Sequence, residues 1–342
     1  MDSRERVIRA IEFERPDRIP ISYDGIYEAA FEKYGPSLNR ILERYPSDFA
    51  KSGFSPVGVY RREISDKDSH VKKFMDEWGC IWTKIHEGLE GQCTGHPLSD
   101  WRFLETYEFP EPPYYKKVSE KDSSKYIMSW APTLFERMQQ LRGFQNLLVD
   151  LTRKRREVRI LINKVLEYNL EFIRRLVETD VDAVSFADDW GTQNGLMINP
   201  EIWRELFKPA YEKMFKEVHK AGKHVFFHSD GNVSEIIPDL ISCGMDVFYP
   251  QFGVMKIEDW KYICGGKVCI IASIDVQYIF PWGKPKEVRK YAEKMIETLG
   301  SYDGGLIFAP EIAWGIPLVN IEVAFETFWK YGRYPRRIFD ML

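Results

Sequence analysis

Several things are missing from this chain, and each absence removes a class of function. It has no Gly-x-Gly-x-x-Gly and no phosphate-binding loop, so a dinucleotide or nucleotide fold is unsupported. No apolar run approaches the roughly 18–20 residues of a membrane span. Cysteine is scarce: five residues, odd in number and scattered at 80, 93, 243, 264 and 269, with no Cys-x-x-Cys. That excludes a thiolate zinc knuckle and fits a reduced, cytoplasmic setting. The start, Met-Asp-Ser-Arg-Glu-Arg, lacks the apolar core of a secretion signal. An excess of basic residues is also lacking: net charge is −4 and the isoelectric point near 6.0. Neither nucleic acid nor a membrane surface is an expected partner. The basic run Arg153-Lys-Arg-Arg156 then reads as a solvated helix start.

What remains is 342 residues, 44% hydrophobic and 15% aromatic, enough for a large core. From about residue 180 the pattern is regular. Apolar strands at 183–187, 225–228, 246–249, 268–273 and 305–309 alternate with helices at about 200–219, 233–241, 256–263, 284–299 and 319–330. Strands separated by helices pair in parallel, since a parallel strand needs a crossover. Adding Ile19–Tyr23, one strand from the 78–86 region and Tyr126–Ala131 gives eight strands. Helices are expected at 3–13, 26–50, 133–150 and 156–179. The expected fold is an α/β (β/α)8 barrel in a single domain, residues 1–342, with hairpins and loops at about 52–120 inserted in its N-terminal third.

In such a barrel the chemistry sits at the C-terminal strand ends. Those ends carry Tyr23-Asp24, Trp130, Asp188-Asp189, His228-Ser-Asp230, Tyr249-x-Gln251, Asp275 and Glu311. His228 and Asp230 stand two apart at the end of an apolar strand, so both leave by one face. They form either a hydrogen-bonded turn or half of a metal or acid/base site. His228, Asp230 and Glu311 are a donor set for zinc or a similar divalent cation. Glu311 is otherwise a loop carboxylate paired to an arginine. Asp188 and Asp189 read either as an acid/base pair working with His228 or as a helix N-cap, and Asp275 either contacts substrate or caps a turn. Tyr23, Asp24, Trp130, Tyr249, Gln251 and Trp314 complete an expected substrate surface. Trp282 and Trp314 line a flat pocket or pack its rim.

Several segments together resemble the uroporphyrinogen decarboxylase superfamily. They are Pro16-Asp-Arg-Ile-Pro-Ile, Asp76-Glu-Trp-Gly, His96-Pro-Leu, Asp188-Asp-Trp-Gly-Thr-Gln, His228-Ser-Asp-Gly-Asn, Ile274-Asp-Val-Gln277 and Gly304-Gly-Leu-Ile. They run in order from about residue 5 to about 330. The resemblance implies a (β/α)8 barrel and one of two activities. Decarboxylases of the family carry an arginine-rich segment after the first strand, where this chain has Tyr23-Asp-Gly-Ile-Tyr-Glu-Ala-Ala-Phe31. An acidic pocket there would repel a polycarboxylate tetrapyrrole. The cobamide-dependent methyltransferases that use coenzyme M hold zinc through His-x-Cys and a later Cys. Here Asp230 and Glu311 stand at those places, which makes a harder Lewis acid suited to an ether oxygen. The resemblance therefore implies an O-demethylase-like methyltransferase, with zinc as metal, a methoxylated aromatic donor and a corrinoid protein as acceptor. Tetrapyrrole decarboxylation and a barrel that only binds a corrinoid or tetrapyrrole are the alternatives. A homodimer is compatible with either activity.

Overall fold

In the computed structural model, which describes residues 1–57, 61–65, 71–84, 91–120 and 122–334, seven strands pair in parallel in chain order. They are Phe49–Ala50, Tyr126–Trp130, Ala183–Ala187, His224–Ser229, Val247–Pro250, Cys269–Ala272 and Leu306–Phe308. The sheet closes through residues 19–22. Phe308 N–H donates to Pro20 O (2.9 Å), Ser22 N–H to Phe308 O (2.8 Å) and Asp48 N–H to Ile21 O (2.8 Å). This segment is the eighth stave, so the molecule is the expected (β/α)8 barrel. Between Tyr126–Trp130 and Leu306–Phe308, helices separate successive strands, as parallel pairing requires. Among the described residues no helix is long and apolar enough to cross a membrane.

The second stave differs from expectation. It is Phe49–Ala50, within a stretch that reads as helix, because two residues are too few to show alternation. The strand expected from 78–86 is Ile81–Lys84, and it belongs to a four-stranded antiparallel cap with Arg61–Glu63, Lys72–Asp76 and Gln92–Gly95. Its residues 85 and 86 lie outside the described ones. Phe54–Val57 pairs with Tyr114–Lys117 as a separate ribbon. The helix expected at 200–219 is two, Pro200–Leu206 and Lys208–Lys220, since Pro209 cannot continue the first. Likewise 133–150 divides at Gly143, whose φ of +87° suits glycine.

Side-chain parity sorts the barrel into two cores. Outward residues such as Val184, Phe186, Val225, Phe227, Phe248 and Phe308 pack against the helices. Inward residues Tyr126, Ala183, Phe226, Val247, Tyr249, Ile271 and Ile307 fill the barrel, and Val7, Ala10 and Ile11 of helix Ser3–Ile11 pack against them from the N-terminal end. The apolar filling thus stops short of the other end. There the same alternation delivers polar residues inward.

Candidate metal centre

The alternation that buries Phe226 inside the barrel also points His228 inward two residues later. His228 Nδ1 lies 2.9 Å from Tyr249 O. A carbonyl can only accept, so Nδ1 carries a proton, and Nε2 is left as the ring atom that can bind a metal. Nε2 faces Asp230 Oδ1 at 3.5 Å. Asp189, inward by the parity of Ala183 and Ala187, accepts the Asp230 N–H at 2.8 Å. One ligand atom each from Asp189, His228 and Asp230 lies within 4.8 Å of the others, a grouping that could hold a metal ion.

Two glycines bring these loops together. A Cβ on Gly191 would stand 2.6 Å from Asp230 O and 2.7 Å from Asn232 N. Gly231, at φ +77°, backs onto Gly191. Gly191 N–H donates to Asp230 O (3.2 Å), and Asn232 N–H to Thr192 O (2.7 Å). The loop contact requires bare backbone on both sides, which accounts for the glycines in Asp188-Asp-Trp-Gly and His228-Ser-Asp-Gly.

More carboxyls surround the triad. Asp24 is reached by solvent through the open mouth but walled by protein elsewhere. Burial raises its pKa, while the Trp130 indole N–H and the His228 ring oppose the rise. Asp230 is also raised, by burial and by Asp189, with His228 pulling against both. Glu311 is pushed up to about 7, by burial first and then by the charge of Asp230. Its Oε1 is buried and has no hydrogen-bond partner. Glu136, at the start of helix Phe135–Arg142, is pushed up to about 8 by burial, Asp188 and Asp189. Among the described residues, neither a lysine nor an arginine is a leading cause of the shift of any of these groups. Carboxyls crowded together without a cation are unfavourable as anions, so the site is complementary to positive charge.

The expected residues divide into those that face this space and those that do not. Asp24, Trp130, Asp189, His228, Asp230, Tyr249 and Glu311 converge at the mouth. Tyr249 lies edge-on to His228, with ring centroids 5.0 Å apart. Its hydroxyl approaches the Gly25 backbone to 2.8 Å from where a Cβ would stand. Glu311 lies near enough to feel Asp230, but the ligand-distance grouping contains Asp189 in its place. Gln251 faces the loop contact, accepting the Gly231 N–H at 2.9 Å.

Asp188 points outward with Val184 and Phe186. It is 1% exposed and accepts the N–H groups of Leu134 (3.0 Å) and Glu136 (2.9 Å) and the Tyr211 hydroxyl (2.6 Å). It holds the start of helix Phe135–Arg142 rather than capping the segment that follows it in sequence. Tyr23 shares the outer face of Ile19 and Ile21, and its hydroxyl donates to Leu42 O and Tyr45 O. Asp275 accepts the N–H groups of Gln277 and Tyr278 and so fixes a turn. Trp314 is 65% exposed at the rim, beneath the Lys33 ammonium. The sequence reading missed Glu136, although its place just after Trp130-Ala-Pro put it beyond a strand end.

Residues 131–331, more than half of the chain, match the sequence profile of uroporphyrinogen decarboxylase (URO-D). No curated protein matches. Among solved structures, the chain is similar to a methyltransferase from Methanosarcina mazei at 14% identity and a TM-score of 0.66, covering 97% of this chain and 99% of the other. That is a likeness of fold. A B12-independent methionine synthase from Shewanella sp. W3-18-1 is a looser match: 12% identity, 88% of each chain and a TM-score of 0.47.

Proposed function

Since the chain belongs to the uroporphyrinogen decarboxylase family, we propose that it is a metal-assisted methyltransferase moving a methyl group from a methoxylated aromatic substrate to a corrinoid protein. One observation carries the reading: the acids at the barrel mouth converge on an oriented imidazole, and among the described residues no lysine or arginine is paired with them. A polycarboxylate tetrapyrrole would meet like charge there, whereas a divalent cation meets its ligands.

The donor set fits such an ion. His228 Nε2 can bind a metal, Asp230 and Asp189 stand beside it, and the orphaned Oε1 of Glu311 is a buried acceptor lacking a donor. His228, Asp230 and Asp189 would hold zinc or a similar cation, with Glu311 at the edge. Nitrogen and oxygen donors favour a hard ion, which supplies Lewis acidity toward the oxygen that the methyl group leaves.

The remaining work belongs to the chain's own groups. Tyr249 O keeps a His228 proton on Nδ1, so the ring presents one orientation. Trp130, 39% exposed at the mouth beside Asp24, offers a flat face for an aromatic ring. Glu136, half-buried and pushed up to about 8, holds a proton at neutral pH and can deliver it to a departing oxygen.

The test offers methoxybenzenes with cob(I)alamin, and uroporphyrinogen separately, to chelated and zinc-restored protein. Methylcobalamin formation should rise about a hundredfold or more on restoring zinc, the rate equivalent of a Lewis-acid interaction of a few kcal/mol. His228→Ala should abolish the response. Chelator-insensitive release of carbon dioxide from uroporphyrinogen would overturn the proposal.

A further inference from the structure

The cap brings together two of the five scattered cysteines. Cys80 directly precedes the strand Ile81–Lys84, and Cys93 lies on the adjacent strand Gln92–Gly95, opposite Trp82. The ladder is irregular between Ile81 and Trp82, and Cys80 stands two residues before the Trp82 that pairs with Cys93, so the two cysteines lie at adjoining strands. Cys80 is fully buried, while Cys93 is only half-buried. Cys93 Sγ lies 3.7 Å from His96 Nδ1, which in turn donates to Gln140 O at 2.7 Å. All five cysteines are reduced in the structure.

We propose that Cys80 and Cys93 are a redox-active dithiol, closed to a disulfide by a small-molecule disulfide such as oxidised glutathione and reopened by thiols. The half-buried sulfur is the point of attack, and the buried one completes the bond. Their neighbourhood divides those roles. The Cys93 thiol is lowered to about 7, first by the hydrogen bond from Cys80 and then by the His96 ring, against the opposing effect of burial. Cys80 is raised, as the partner that keeps its proton. Burial pushes Cys243 and Cys264 up to about 12 and raises Cys269 as well. At neutral pH only Cys93 has a substantial thiolate fraction, and the thiolate is the nucleophile.

The steps balance. The Cys93 thiolate attacks one sulfur of oxidised glutathione, and one glutathione thiolate leaves. Cys80 then attacks Cys93 Sγ. The second glutathione departs and takes up the Cys80 proton. Two electrons pass from the protein thiols to one glutathione disulfide.

The pair is tied to the barrel mouth. Asp76 accepts the Cys80 N–H at 2.9 Å and an Arg137 N–H at 3.0 Å. Arg137 follows Glu136 on the helix that faces the acids, and Cys93 and His96 both contact Gln140 O on the same helix. Closing the disulfide should therefore alter hydrogen exchange in residues 135–142, which sets this pair apart from an isolated surface modification.

The experiment treats wild type, Cys80→Ser and Cys93→Ser with oxidised glutathione and maps non-reduced peptides by mass spectrometry. Wild type should give a Cys80–Cys93 link that dithiothreitol reverses. Cys80→Ser should retain glutathione on Cys93, and Cys93→Ser should give neither product. In untreated wild type at pH 7, Cys93 should alkylate about tenfold or more faster than Cys243, Cys264 or Cys269. This last measurement needs no variant to fold. A stable glutathione adduct on wild-type Cys93 without the link, a link to another cysteine, or equal alkylation rates would overturn the proposal.

Discussion

The two ends of the barrel treat the same residue, aspartate, in opposite ways. At the N-terminal end, three aspartates each precede a strand and accept an N–H from the strand before it. Asp48 takes Ile21 N–H at 2.8 Å, Asp182 takes Ile127 N–H at 3.0 Å, and Asp246 takes Val225 N–H at 2.7 Å. Each also has a basic partner: Arg6 and Arg18 for Asp48, Arg4 for Asp182, His219 for Asp246. At the C-terminal end, Asp24, Asp230 and Glu311 have raised pKa values and, among the described residues, no arginine or lysine partner; Asp230 has only the His228 ring, at 3.5 Å. A carboxylate whose charge the chain itself neutralises is holding the fold. One left uncompensated is waiting for something outside the chain. Asp188 is the exception: it caps a helix, yet burial raises it to about 7 as well.

The comparison can be broken from either side. Asp48→Ala leaves the Arg6 and Arg18 guanidinium groups without the carboxylate they share, and should lower the unfolding free energy by about 3–5 kcal/mol in urea titrations. Zinc uptake by the fraction that stays folded should be unchanged. Asp230→Asn should do the reverse, weakening zinc binding about a hundredfold while leaving the apo-protein as stable or slightly more so, because it removes one of several repelling charges. If Asp230→Asn unfolded the chain, the mouth would be a structural network after all. Gly191→Ala keeps every ligand but wedges a methyl group into the Asp230–Asn232 backbone, and should weaken zinc binding about tenfold in the same titration.

A smaller effect concerns pH. Glu311 near 7, Glu136 near 8 and the capping Asp188 near 7 have folded pKa values above their unfolded ones, so the native state binds extra protons between about pH 4 and 8. Stability from these groups is greatest at low pH and falls as pH rises through that window. The melting temperature of the apo-protein should accordingly drop by a few degrees between pH 6 and pH 8, where acids with depressed pKa values are already ionised. Saturating zinc should flatten the slope, since a bound cation holds nearby carboxylates charged. A slope that zinc leaves unchanged would place the titrating groups away from the metal.

Much of this was legible in the sequence. Alternating strands and helices implied the barrel, and several of the strand-end residues come together at one end of it. Parity was also there to be read. Ile19 and Ile21 face outward, so Tyr23 must follow them and Asp24 must turn in. Val184 and Phe186 likewise send Asp188 outward and Asp189 inward. Treating each strand end as a pair obscured that distinction. Other features need three dimensions. Phe49–Ala50 is a strand only because Ile21 and Tyr126 lie on either side of it. Glu136 comes near Asp188 and Asp189 only once helix Phe135–Arg142 packs beside the neighbouring strand end. Cys80 and Cys93 meet only through the pairing of two cap strands, which no spacing rule announces.

The central claim is that the uncompensated acids and His228 form a cation site. The most direct measurement is calorimetric titration of chelator-treated protein with zinc, on wild type and His228→Ala. The account predicts one tightly bound ion per chain in wild type and its loss in the variant, with both proteins giving the same circular dichroism spectrum. Wild type that takes up no zinc, or a folded His228→Ala protein that binds it equally well, would contradict the account.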